Sequence, residues 1–504
     1  MVISKNKLNF VVAFSRRGLT GSINFLMLPL YLPLLGSEAF GLISFGISIW
    51  WLIDIFGKNM TPIWSREVAS LRSAGKTKQC LWAVIRIQEY IYVPLCLLVI
   101  IFGRDIAGFF STKLVFKEIT PDVAVQCIYW MLVSVSLLGM RSAYGGILNG
   151  QQRFILNAGL LGYKAIWDSV GGYFVLRMTM GDPIAYFKWH CLGSGIMLTA
   201  CFLMTWKGQF SRFLRIKVPS ELLGNYRKLL GKGIVIAVLT ALVFFAERYI
   251  VGSKLSVVEL GTFSLILTPV ALFSNLAGII TVQMLPRLTS CYNKESHQES
   301  RRLQKLGINL MVMLYSLAIA VIALNADYLV GIWLRNHLAS VEVAKLLPVA
   351  LIEGFILAVT AYLYDCHLSS GNINARMYSR LVKFIFTATI SVLAVIEFGL
   401  FGFFIVRLFY GILEILLIIS AWEFLPQWNH RKVLQMIFTM PLGVIGITLC
   451  VIYLRSKVAL DLKWLENVIA LGCSIFIWAA FLLLMKDMRD IMKKCNPWKK
   501  IAVR

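Results

Sequence analysis

The chain has 504 residues, of which 59% are hydrophobic, with a mean hydropathy of +0.76 and a formal net charge of +25. Apolar runs of membrane-crossing length fill almost all of it, and no loop exceeds about thirty residues. This excludes a soluble catalytic domain and points to a protein that works within a bilayer.

Taken in order, the expected spans are 10–35, 40–58, 81–103, 124–148, 154–178 and 183–206. They continue as 233–253, 261–285, 306–332, 346–368, 379–400 and 402–424, with a last pair at 433–454 and 464–485. The fold class is therefore all-α integral membrane, with about fourteen transmembrane helices. An even count puts both termini on one side. With Met1 in the cytoplasm, the cytoplasmic segments carry about three times as many Lys and Arg as the extracytoplasmic ones, as the positive-inside rule requires. The stretch Met1–Lys7 leads into a span longer than a signal h-region and shows no small-residue cleavage site, so no cleavable signal is expected. The basic segments 207–232 and 486–504 read as topogenic charge near anionic lipid, and no nucleic-acid partner is expected.

An internal repeat organises the spans. Gly41 and Ser44 recur as Gly261 and Ser264 at an offset of 220, while Arg66 recurs as Arg287 and Gly150 as Gly371 at an offset of 221. Six spans separate the copies, so the repeats run parallel and imply two pseudo-symmetric six-helix lobes about an axis along the membrane normal. The expected domains are a first lobe at 1–206, a basic cytoplasmic linker at 207–232 and a second lobe at 233–424. Two added helices follow at 433–485 and a basic tail at 486–504.

The ten cysteines are scattered and form no CxxC, and the five histidines have no metal-ligand spacing, so neither a metal nor a cofactor is expected. No GxxxxGK[ST] occurs; Gly231-Lys232-Gly233 lacks the spacing and the hydroxyl residue, which argues against ATP as the direct drive.

Charge inside a span costs about 3 kcal/mol or more unless it faces a partner or a wet cavity, so such residues mark candidate sites. Arg16 and Arg17 stand in a first span broken by Gly18, Gly21, Pro29 and Pro33, with no acidic residue within a turn. Arg86 with Glu89, and Lys164 with Asp168, can each share a helix face and neutralise themselves, or line a transport path. Arg248, beside Glu247, either lines a cavity or snorkels outward. Together Arg16, Arg17, Arg86, Lys164 and Arg248 form a candidate anion-binding set, since the guanidinium fork suits a phosphate or diphosphate. Asp54, Asp168, Glu353 and Asp365 are candidate ion-coupling carboxylates. Trp50, Trp51, Trp64, Tyr90, Tyr92, Trp130, Trp167, Tyr173 and Tyr186 offer flat faces to sugars or form interface belts.

A set of short motifs then carries a resemblance. These are Leu32-Pro33-Leu34-Leu35-Gly36 running on to Gly41-Leu42, Arg66-Glu67-Val68-Ala69 and Leu148-Asn149-Gly150-Gln151-Gln152-Arg153-Phe154 in the first repeat. In the second they are Glu247-Arg248-Tyr249-Ile250-Val251-Gly252, Glu259-Leu260-Gly261-Thr262-Phe263-Ser264 and Pro286-Arg287-Leu288. In order and spacing they resemble the polysaccharide transporter family, the Wzx-type flippases of the multidrug/oligosaccharidyl-lipid/polysaccharide (MOP) exporter superfamily. Glu247-Arg248 stands where many relatives show Asp-Arg, a conservative departure.

The resemblance implies a flippase, not an enzyme. It would move undecaprenyl-diphosphate-linked oligosaccharide repeats across the bacterial inner membrane by alternating access, for O-antigen, capsule or related polysaccharide. It implies the lipid-linked glycan, the bilayer, and the polymerase and chain-length machinery as partners. Other readings are a cation-coupled multidrug antiporter of the same superfamily, a peptidoglycan lipid-precursor flippase, and a membrane polymerase or ligase. The last lacks a large extracytoplasmic loop, the longest being 104–123.

Overall fold

A computed structural model of the chain describes residues 22–23, 25–46, 49, 78–150, 153–205, 220–293, 297–335, 339–369 and 374–420. All regular structure among them is helical. The helices are α1 (Phe25–Gly46), α2 (Lys78–Lys113), α3 (Pro121–Gly150), α4 (Phe154–Ile166), α5 (Gly172–Met178) and α6 (Pro183–Thr205). After these come α7 (Ser220–Lys254), α8 (Val257–Asn293), α9 (His297–Trp333), α10 (Ala339–Ser369) and α11 (Asn374–Ser420). Seven helices among the described residues are long and apolar enough to cross a membrane.

The helices follow the apolar runs, with three informative differences. The first two expected spans are joined within α1, where Gly36 takes φ +75 in place of a four-residue loop. The eleventh and twelfth are joined within α11 at Gly399, φ 60 and ψ −145. Both turns use the left-handed region that only glycine enters at little cost. The third difference lies in the expected linker at 207–232, whose latter part from Ser220 is already α7. The last two expected spans and the basic tail lie outside the described residues.

The chain divides into two compact units, one of Met1–Ser264 with Arg380–Phe403, the other of Leu265–Ser379 with Phe404–Arg504. In the first unit α3 packs along α2 and α6. Gly46 of α1 abuts Met131 of α3, and Gly103 of α2 faces the Tyr129 ring. Between α5 and α6, Gly181 donates to the Leu176 carbonyl (2.8 Å), and the Asp182 carboxylate caps α6 by accepting from the Ile184 N–H (2.8 Å), with Pro183 at the first helical position. In the second unit α9 and α10 pack together: Tyr362 fills the space beside Gly307 and donates to the Leu303 carbonyl at 3.0 Å. The Tyr315 ring meets Phe355 at 5.8 Å with 56° between planes, and its hydroxyl shares a hydrogen bond with Ser274 of α8 (3.1 Å).

Four connections that the span pattern assigns to one face are tied together in the first unit. The Glu38 carboxylate accepts from the backbone of the α2–α3 loop, Val115 of that loop bonds to both sides of the α7–α8 turn, and the Leu34 carbonyl lies against Gly181 of the α5–α6 turn. Gly41 of α1 lies against Val257 and Gly261 of α8. Gly41 and Gly261 are the pair matched by the sequence repeat, and they meet each other. A side chain at Gly41 would run into the Val257 backbone. Gly41→Val is therefore expected to destabilise the protein by about 1–3 kcal/mol; a thermal midpoint in detergent at least equal to the parent's would refute this crossing.

Candidate functional site

A buried polar cluster in the first unit forms where the fifth expected span departs from α-helix. Between α4 and α5, residues Trp167–Gly171 make a π-helical turn, a feature that recurs at functional sites because it shifts the hydrogen-bond ladder. The Tyr31 hydroxyl of α1 donates to the Ser169 carbonyl, with the Asp168 carbonyl at 3.3 Å. The turn is braced on its other side by Trp167 and Trp189 of α6. Their rings stack at 4.1 Å with 3° between planes, and each indole N–H donates to the other's carbonyl, at 3.2 and 2.9 Å. Gly193 leaves room for the Trp167 ring and Gly171 for Trp189.

Asp168 projects from this turn into an ionic cluster. Lys164, one helical turn earlier and buried, forms an ion pair with it, as their spacing of four predicts. His190 Nδ1 of α6 lies 3.4 Å from the same carboxylate oxygen, and the Tyr186 ring packs against the imidazole at 4.4 Å. The His190 carbonyl accepts from Ser194 (2.8 Å) and Ser134 (3.3 Å), with the Lys164 ammonium at 3.5 Å. Lys164 and Asp168, assigned by sequence to substrate and ion respectively, thus belong to one cluster. The ammonium and the imidazole thus face the same carboxylate oxygen.

The remaining site candidates are distributed. Arg248 is buried on α7, with its guanidinium 3.4 Å from the Phe244 carbonyl and 5.8 Å over the Phe263 ring. It does not snorkel outward. Glu353 of α10 is buried and bonded to Arg407 of α11 at 2.9 Å in the second unit. Arg86 and Asp365 fall on α2 and α10, with side chains outside the described set. Arg16, Arg17 and Asp54 lie outside the described residues. Glu89, for which the spacing offered Arg86, accepts from Tyr144 of α3 at 2.8 Å.

Sequence reasoning missed several buried polar groups. Arg141 of α3 is bonded to Asn157 of α4 and lies against Gly145. Its signal was legible, an arginine inside an apolar run. Glu414, by contrast, is a charge that the sequence itself places inside the twelfth expected span; it accepts from Ser379 (2.6 Å) and Tyr364 (3.0 Å) in the second unit. His190 and Tyr31 carried no sequence signal, since their partners lie far along the chain. Among the described residues no group of three or more His, Cys, Asp or Glu is placed to hold a metal ion.

No family model matches the chain, and no curated protein matches it. Solved structures do. The lipid II flippase MurJ in an inward closed conformation aligns with a TM-score of 0.71 at 14% identity, covering 96% of this chain and 99% of that one. An inward-facing multidrug resistance MATE transporter of the MOP superfamily aligns at 0.63 and 12% identity, covering 81% and 96%. A MOP superfamily transporter from Pyrococcus furiosus, described by a binding pocket of reversed polarity, aligns at 0.57 and 12% identity, covering 81% and 94%. At these identities the likeness establishes architecture: the chain has the multi-pass helical membrane fold shared by MOP-superfamily flippases and transporters.

Proposed function

We propose that the protein is a flippase that moves undecaprenyl-diphosphate-linked oligosaccharide repeats from the inner to the outer leaflet of a bacterial inner membrane, with both termini cytoplasmic. The observation that carries a lipid-linked substrate is the extent of the fold likeness. The lipid II flippase covers 96% of the chain, whereas the MATE transporters cover about 81–86%. The twelfth expected span ends at residue 424, about 84% of the way along the 504 residues. The extra share matched by the flippase is of the same size as the expected C-terminal pair, 433–485.

The mechanism is alternating access, with two six-helix lobes rocking about 207–232. Arg16, Arg17, Arg86 and Arg248 contact the diphosphate while the prenyl tail stays in lipid. Lys164 serves with Asp168 at the ionic cluster, and Asp54, Glu353 and Asp365 complete the coupling carboxylates. The polymerase and chain-length machinery take the product on the outer side.

Two other substrates belong to the same architecture, the peptidoglycan lipid precursor and cationic drugs. Depleting the protein in its host and extracting undecaprenyl-linked intermediates separates all three. Accumulation of a lipid-linked repeat with loss of surface polysaccharide is the expected result. Accumulation of the peptidoglycan precursor with lysis supports the second substrate. Normal polymer with raised drug sensitivity overturns a lipid-linked substrate altogether.

A further inference from the structure

One charged residue in the first unit has a function that the cluster around Asp168 does not absorb. Glu38 follows the left-handed Gly36 and is 2% exposed. Its carboxylate accepts from three successive backbone N–H groups of the α2–α3 loop, those of Lys117, Glu118 and Ile119, the last at 2.7 Å. Three convergent amides satisfy a buried carboxylate and fix the loop's path.

What the loop does once fixed is visible at Val115. Its N–H donates to the Gly252 carbonyl at the end of α7 (3.2 Å), and its carbonyl accepts from the Val257 N–H at the start of α8 (3.2 Å). Leu114 packs over Gly252, while Val257 lies against Gly41 of α1. Below this layer is an aromatic one. Phe45 of α1 meets Phe110 of α2 (5.7 Å) and Phe245 of α7 (6.0 Å), and Phe110 meets Phe245 (5.4 Å) and Tyr249 (6.4 Å). The first layer joins helices of the first sequence repeat (α1, α2) to α7 and α8 of the second, and the aromatic layer joins them to α7, at the end where the expected extracytoplasmic connections gather.

We infer that this is the outer gate of the transporter and that Glu38 is its positioning residue, holding Val115 as a latch across the α7–α8 turn. The Glu38 contacts lie within the first repeat and survive opening. The two Val115 hydrogen bonds and the Phe45–Phe245 contact cross between repeats and must break. Loss of Glu38 frees the loop, weakens the latch and biases the protein toward the outward-open state. The inference rests on the reading of the chain as an alternating-access transporter but is independent of which substrate it carries.

The test reads the gate directly. Ala241, buried on α7 one turn below Phe245, is replaced by Cys, and its alkylation by a membrane-impermeant maleimide added outside intact cells is timed against the parent bearing only its native cysteines. Glu38→Ala is expected to speed alkylation about fivefold, the effect of losing one net hydrogen bond, and Glu38→Gln to give an intermediate rate while retaining a neutral acceptor. The pair Val115→Cys and Gly252→Cys, oxidised, is expected to stop both alkylation and export, with reductant restoring both. Parental alkylation rates in Glu38→Ala and Glu38→Gln overturn the inference, as does full export by the oxidised pair. Alkylation that responds to Glu38 while depletion leaves lipid-linked intermediates unchanged retains the gate and removes the substrate.

Discussion

Arg407→Ala is expected to lower stability by about 3–5 kcal/mol, whereas the double replacement Glu353→Leu with Arg407→Leu is expected to lie close to the parent. The asymmetry follows from where the pair sits. Glu353 is wholly buried and Arg407 only 3% exposed, and they bond at 2.9 Å between α10 and α11. Taking both charges out of water costs several kcal/mol per ion, which their attraction roughly returns. Removing the arginine alone leaves a wholly buried carboxylate without this cation. Thermal midpoints of detergent-purified protein measure the difference. A single variant as stable as the double one rules out this pair as the main charge compensation for Glu353.

The contrast between Lys164–Asp168 and Glu353–Arg407 marks what a sequence makes legible. A spacing of four on one helix fixes two side chains on one face, so the Lys164–Asp168 ion pair follows from helix geometry and is observed. Glu353 and Arg407 are 54 residues apart, and their pairing depends on the packing register of two helices, which hydropathy does not encode. The same holds for His190 beside Asp168 and for Glu38 beneath the α2–α3 loop. Apolar runs placed the helices well because membrane insertion responds to the same transfer energies that hydropathy sums. They misjudged the joints at Gly36 and Gly399, where one left-handed glycine does the work of a loop. Gly41 and Gly261, matched in the sequence repeat, also lie against one another, and small residues at both positions allow that close approach.

If the Lys164–Asp168–His190 cluster is part of the transport cycle, Asp168→Asn and Lys164→Ala are expected to reduce export about tenfold or more, a coupling term of 1–3 kcal/mol, with parental amounts in the membrane. The argument rests on where the cluster is anchored. Asp168 belongs to the π-helical turn, whose carbonyls receive the Tyr31 hydroxyl of α1 and whose Trp167 is clamped to Trp189 of α6. Neutralising either charge therefore changes the force on a turn that three helices share, and a turn between π and α registers has two nearby arrangements. A purely structural ion pair behaves differently: its loss lowers the thermal midpoint, and the reversed pair Lys164→Asp with Asp168→Lys restores stability and export together. For a transport role the reversed pair restores stability but leaves export low, because the carboxylate no longer stands beside His190 Nδ1, now 3.4 Å away. Normal export by Lys164→Met with Asp168→Leu would remove the cluster from the mechanism and leave its charges to the packing of α4 against α6.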